Sequence, residues 1–119
     1  VNDKIWVYIA SHSRELAEEL ASKMEEVGFT VCSNWHKKAF LPTESHTVPE
    51  RFQIAQEDFE DILRCDWLVL QSGTEKYSGG KFVEAGIAYG LGKKVFVFGR
   101  KENMLTYLFE QFDETLLKG

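Results

Sequence analysis

Between Ser78 and Phe98 the chain carries a glycine pair, an apolar stretch at helical spacing, a second pair of glycines and an unbroken apolar run. Gly79 and Gly80 open a helix, Gly90 and Gly92 close it, and Val95-Phe96-Val97-Phe98 follows as a strand. A strand apolar at every position is buried on both faces, as in a parallel sheet covered by helices on each side. The loop feeding such a helix lies at the carboxyl end of the sheet, where open α/β folds hold their ligands. Glu84 stands one turn into this helix, among Phe82, Val83, Ala85, Ile87 and Ala88. A carboxylate in that setting is short of water, so it is either paired or kept for chemistry. The plainer reading is a first-turn acid that complements the helix macrodipole. Gly79 and Gly80 favour the functional one, because they let backbone approach a ligand. Gly86 and Gly90 share a helical face, which the spacing assigns to close packing on the sheet.

The rest of the chain repeats the alternation of strand and helix. Lys4 to Ala10 is a β-rich run and the expected first, central strand. Ser11-His12-Ser13 supplies N-cap chemistry for a helix whose buried face is Leu16, Ala17, Leu20, Met24 and Val27, ended by Gly28. Phe29 to Ser33 is the second strand and leads to Trp35. Residues 36–49, with both prolines and two of the three histidines, read as a mobile loop over the sheet edge. A second helix is expected from about Glu50 to Arg64, with an apolar stripe of Phe52, Ala55, Phe59, Ile62 and Leu63 and with Gln56, Glu57, Glu60 and Asp61 mostly off it. Asp66 to Gln71 is the third strand and Val95 to Gly99 the fourth. A short helix over Asn103 to Phe109, an edge strand near Phe112 and a last turn capped by Asp113 complete the chain. These elements predict one domain over residues 1–119, an α/β three-layer sandwich of flavodoxin/Rossmann-like type. Its parallel five-stranded sheet takes the order 2-1-3-4-5. The switch point between the first and third strands should bring Tyr8 to Ser11 and Ser72 to Ser78 to one ligand.

Composition narrows the partners. A formal charge of −5 disfavours nucleic acid polymers and anionic membrane surfaces. No apolar run approaches the ~20 residues that span a bilayer, and no charged-then-apolar leader opens the chain. Cys32 and Cys65 form neither a CxxC motif nor a disulfide framework, and read as reduced, partly buried thiols of a cytoplasmic protein.

Chemistry-bearing residues collect at the expected ligand edge. Tyr8, Ser11, Ser13 and Arg14 lie at a helix N-terminus, where free amides suit an anion, although a serine-rich turn is also an ordinary cap. Asp58, beside the apolar stripe, is either a solvated helix acid or the partner that Glu84 needs for glycosidic cleavage, with Asp61 and Asp66 nearby. Dinucleotide, P-loop and GxSxG signatures are absent, and His12, His36 and His46 share no ligand spacing; no metal and no cofactor is expected. Trp35, at a strand end, is open between core and base stacking, whereas Trp67 reads as core.

Assembled, these residues resemble the nucleoside 2-deoxyribosyltransferase-like family over nearly the whole length. The resemblance rests on Tyr8-Ile9-Ala10-Ser11, on Asp58-Phe59-Glu60-Asp61-Ile62 with Cys65-Asp66, on Gly79-Gly80 and on Arg100 to Met104. Its specific part is Glu84-x-Gly86-x-Ala88-Tyr89-x-x-Gly92-Lys93. The resemblance implies cleavage of the N-glycosidic bond of a 2′-deoxynucleoside or its 5′-monophosphate. Glu84 would be the nucleophile that forms a deoxyribosyl intermediate, Asp58 would help protonate the leaving base, and Tyr8 would line the site. Transfer to a second base makes the protein a transferase, and transfer to water a hydrolase. Where the transferases typically carry an acid, this chain has Ser78; nucleotide-hydrolysing relatives carry serine there and at the position of Ser11, which points to a monophosphate. Gly79, Gly80 and Trp35 complete the expected substrate contacts. Asn103 and Met104 match, loosely, a segment that a neighbouring subunit supplies in the family. A homodimer or higher homo-oligomer is therefore expected, joined through the second and third helices. Two alternatives stay open: a TIR-like, NAD-cleaving domain, suggested by the first strand, turn and helix, and a non-catalytic nucleotide-binding or signalling module.

Overall fold

The computed structural model of the chain describes residues 5–38, 42–73 and 79–118. Strands β1 (Trp6–Ala10), β2 (Thr30–Val31), β3 (Trp67–Gln71), β4 (Lys94–Phe98) and β5 (Glu110–Gln111) form one parallel sheet in the order β2-β1-β3-β4-β5. Helices α1 (Arg14–Glu26), α2 (Val48–Arg64) and α3 (Gly80–Gly90) make the crossovers. The predicted α/β architecture and strand order are those observed.

Alternation along the strands decides what each helix meets. Val7, Ile9 and Val69 turn to one face and pack with Ala17, Leu20, Ala21 and Met24 of α1. Tyr8, Ala10, Leu68, Leu70, Val95 and Val97 turn to the other, with Ile62 of α2 and Ala85 and Ala88 of α3. Register pairs Tyr8 with Leu68 and Leu68 with Val95, so Tyr8 sits mid-sheet beneath α3. That placement matters for the site.

Local signals set the helix ends. Ser13 caps α1 by accepting from the Leu16 amide at 3.2 Å, and Gly28 takes φ 103° just past its end. At α2, Thr47 and Glu50 form a reciprocal capping box, so the helix begins at Val48 rather than near Glu50.

Several expected faces are corrected. Leu16 is 40% exposed, and Ala21 takes the buried place in α1. Along α2 only Asp61 and Ile62 are buried, while Phe52, Phe59 and Leu63 are 69%, 39% and 44% exposed. The stripe exists, but this helix seats only its C-terminal end on the core, and part of the stripe borders a cleft. Asp61, expected off the stripe, is buried because Arg64 and Asn34 both donate to its carboxylate. Gly86 and Gly90 do not pack on the sheet: both are exposed, and among the described residues nothing outside their own stretch of helix comes within 4 Å of an added Cβ. The expected loop over residues 36–49 begins inside the protein, with His36 fully buried in a 3₁₀ turn. Residues 39–41 of that loop lie outside the described residues.

Gly99, after β4, is needed for its conformation. It takes φ +107°, and a Cβ there would stand 2.5 Å from the Ser72 carbonyl oxygen. Gly99→Ala is expected to destabilise the fold by about 2–4 kcal/mol, from left-handed strain and a backbone clash. The check is a lower urea midpoint with an unchanged m-value; an unchanged midpoint refutes it.

Candidate active site

Tyr8 reaches Glu84 directly. Its side chain rises from β1 on the α3 face, has no exposed surface, and donates its hydroxyl to Glu84 Oε2. The carboxylate belongs to a 420 Å³ cleft between α2 and α3, with Ala55, Asp58, Phe59 and Ile62 on one wall and Gly80, Lys81, Val83, Glu84 and Ile87 on the other. Ser11 and Trp35 complete its lining. Such a volume suits a small organic ligand, and the few polar groups in an apolar lining would orient it.

Burial governs the electrostatics. Desolvation pushes the Glu84 carboxyl up to about 7; the Tyr8 hydrogen bond opposes this and the charge of Asp58 adds to it. Asp58 is pushed up to about 6, by burial and then by Asp61, with Lys38 pulling it down and Glu57 up. Tyr8 is raised by burial and by Glu84, which keeps it a neutral hydroxyl donor. Two carboxyl groups with upward-shifted pKa values in one cleft are the groups that acid–base or nucleophilic chemistry uses.

The other predicted residues divide. Ser11 is buried in the cleft lining, where its Oγ accepts from the Ser13 amide at 3.1 Å. Trp35 is a cleft wall, fixed by its Nε1 donating to the Ile9 carbonyl at 2.7 Å. Gly80 lines the cleft and Gly79 caps α3 beside it. Ser78 lies outside the described residues. Ser72, expected beside the ligand, is instead buried against Arg100 and Glu102. Asn103 and Met104 stand away from this cleft. Asn103 caps the 3₁₀ turn Met104–Leu108 and borders a separate 140 Å³ crevice with Phe82, Gly86 and Tyr89. Met104 is 86% exposed.

Sequence reading missed Lys81, which no motif flags, and a network behind Trp35. His36 Nε2 lies 2.7 Å from Ser33 Oγ and its Nδ1 2.5 Å from Glu18 Oε2. The set has the residue types of a hydrolytic triad, but Ser33 and His36 are 0% exposed and Ser33 Oγ already accepts from the Ile9 amide. No substrate reaches it. Its bonds tie the turn that carries Trp35 to β1 and α1. Among the described residues, no group of three or more His, Cys, Asp or Glu is placed to hold a metal ion, and no helix is long and apolar enough to cross a membrane.

The sequence pattern of the nucleoside 2-deoxyribosyltransferase family matches residues 5–116. The chain belongs to that family. No curated protein matches it in sequence. Among solved structures, a 2-deoxyribosyltransferase from Bacillus psychrosaccharolyticus is 24% identical with TM-score 0.73, covering 91% of this chain and 85% of its own. The CMP N-glycosidase BcmB from Clostridium botulinum is 20% identical with TM-score 0.58, covering 87% and 77%. A conserved protein from Enterococcus faecalis V583 is 16% identical with TM-score 0.57, covering 96% and 84%. At these identities the likeness is one of fold; family membership rests on the sequence pattern.

Proposed function

We propose that this family member cleaves the N-glycosidic bond of a 2′-deoxynucleoside or its 5′-monophosphate, with Glu84 as nucleophile. The observation that carries the reading is the Tyr8 hydroxyl held on the Glu84 carboxylate in the same cleft as Asp58. Glu84, once ionised, attacks C1′ through an oxocarbenium-like transition state and forms a deoxyribosyl ester, while the C1′–N bond breaks. Asp58 gives its proton to the leaving base, which otherwise departs as an unstable anion. A second base or water then displaces Glu84. Tyr8 orients the nucleophile and releases it as the bond forms. Trp35, Phe59 and Ile87 offer apolar surface for the base. Ser11 and Ser78 are assigned to the 5′ end, with the amides of Gly79 and Gly80. Incubation with a panel of deoxynucleosides, their monophosphates and NAD, followed by chromatography of free base, tests the reading. Base release from a deoxy substrate supports it; nicotinamide release alone, or binding without turnover, overturns it. The monophosphate arm tests the serine assignment.

The working unit in this reading is a homodimer. Phe52 and Val83 at the helices beside the cleft are 69% and 62% exposed, and Leu105 and Tyr107 beside Met104 are 71% and 70% exposed. Apolar side chains exposed to this degree on those elements are suited to an interface between copies of the chain. A neighbour's Asn103 and Met104 would then complete the cleft that they do not reach within one chain. Mixing Asn103→Ala chains with Glu84→Ala chains is expected to restore part of the activity that each lacks alone. A fully active monomer in sedimentation at assay concentration refutes this.

A further inference from the structure

Glu102 lies in the segment after β4, outside the cleft lining, yet its carboxylate gathers groups from both sides of the β3–α3 connection. Lys81, in the first turn of α3, donates to Oε2 at 2.8 Å. Gly73, just past β3, donates its amide to the same oxygen at 3.1 Å, and the Ser72 hydroxyl also contacts it. The ion pair is buried: the Lys81 side chain is 1% exposed and that of Glu102 10%. Around it the two segments are in close contact, with the Ser72 amide bonded to the Phe98 carbonyl at 2.9 Å and Ser72 Oγ 2.5 Å from the Arg100 carbonyl. Burial alone would raise the Glu102 carboxyl, but Lys81, Ser72 and Gly73 hold it at about 2, so it is ionised at any working pH.

A buried ion pair contributes little net stability over an apolar pair of the same shape, and its attested use is in fixing one arrangement. Here the arrangement fixed is the entry of α3. Lys81 ends on Glu102, while its own helix wall carries Glu84 one turn further on. Gly79 at the cap and Gly80 as the first helical residue stand directly before it, and among the described residues no side chain caps this helix. Glycine at a helix start leaves the first turn loosely determined. The lysine–glutamate pair supplies the missing restraint.

We propose that Lys81 and Glu102 are positioning residues of this site: their buried ion pair pins the first turn of α3 to the ends of β3 and β4, and thereby sets Glu84 on Tyr8 and toward the scissile bond. The proposal rests on the glycosidic reading for its kinetic arm alone. Displacement of a nucleophile by about 1 Å is enough for losses on the order of 10²-fold, so the pair acts on the chemical step more than on substrate affinity.

The experiment compares Lys81→Met, Glu102→Gln, the charge-neutral double variant and Lys81→Arg. Each single loss is expected to lower kcat by ~10–100-fold with KM within ~3-fold. The double variant should be no worse than the poorer single one, because the two residues act as a unit. Lys81→Arg should recover most of the loss. Unchanged kcat in the folded single variants, or a loss confined to KM, overturns the proposal. A second readout needs no turnover: carbon-13 titration of the glutamate side chains, with Glu84 assigned by its absence in Glu84→Gln. In the double variant, which adds no net charge, the Glu84 midpoint is expected to fall from about 7 toward the ordinary carboxylate value by ~1 pH unit or more, as water enters. An unmoved midpoint in the folded double variant refutes the positioning role. If the wild-type chain releases no base from any substrate, the glycosidic reading fails by itself, and the titration still decides this one.

Discussion

Replacing Glu84 by Gln is expected to lower base release by at least ~10³-fold, about 4 kcal/mol of barrier, while the protein stays folded. Gln preserves the shape and can still meet the Tyr8 hydroxyl, but it cannot form the glycosyl ester. The fold itself should gain. Burial raises the Glu84 carboxyl to about 7, above its ordinary value of 4.5. A group whose folded pKa is raised contributes stability that is present below the unfolded pKa and lost as pH rises through the folded one. Above pH 7 the charged Glu84 is thus a burden on the native state, which Gln removes. The variant should therefore unfold at a temperature equal to or above that of the wild type at pH 8, and this advantage should vanish near pH 4. Turnover above a tenth of the wild-type rate would remove Glu84 from the nucleophile's role.

How much of this was legible in the chain depended on whether the signal was local. Alternation of apolar runs with helical stripes is local, and it led to the observed strand order. Glu84 was legible because a lone carboxylate between glycine pairs conflicts with its surroundings. Tyr8 could be placed on the α3 face only once the register was known. The stripe of α2 showed the limit of periodicity: spacing says that Phe59 and Ile62 share a face, but not that Ile62 enters the core while Phe59 borders a cleft. Asp61 was misread because its burial depends on Asn34, far away in sequence, as well as on neighbouring Arg64. Lys81 with Glu102, and His36 with Glu18, are pairings made by tertiary contact. Charged and polar residues of that kind look like solvated surface until their partners are located.

Asp58→Asn is expected to lower turnover of natural substrates by ~10²–10³-fold and to change the shape of the pH profile. The reaction needs Glu84 ionised and Asp58 protonated. With Glu84 near 7 and Asp58 near 6, that combination is a minor form whose share is largest between the two values. The wild-type kcat/KM should therefore rise as Glu84 ionises, peak near pH ~6.5, and fall as Asp58 loses its proton. Asn carries no proton to donate and no charge to hold Glu84 up, so the alkaline limb should disappear and leave a single rise to a plateau, with its midpoint below about 7. Leaving-group chemistry separates this role from simple disruption of the cleft. A deoxyriboside whose leaving group departs unprotonated, such as a nitrophenolate, has no need of the acid and should lose less than ~10-fold in the variant. Equal losses on both kinds of substrate, with the bell-shaped profile retained, would show that Asp58 holds the cleft in shape rather than protonating the base.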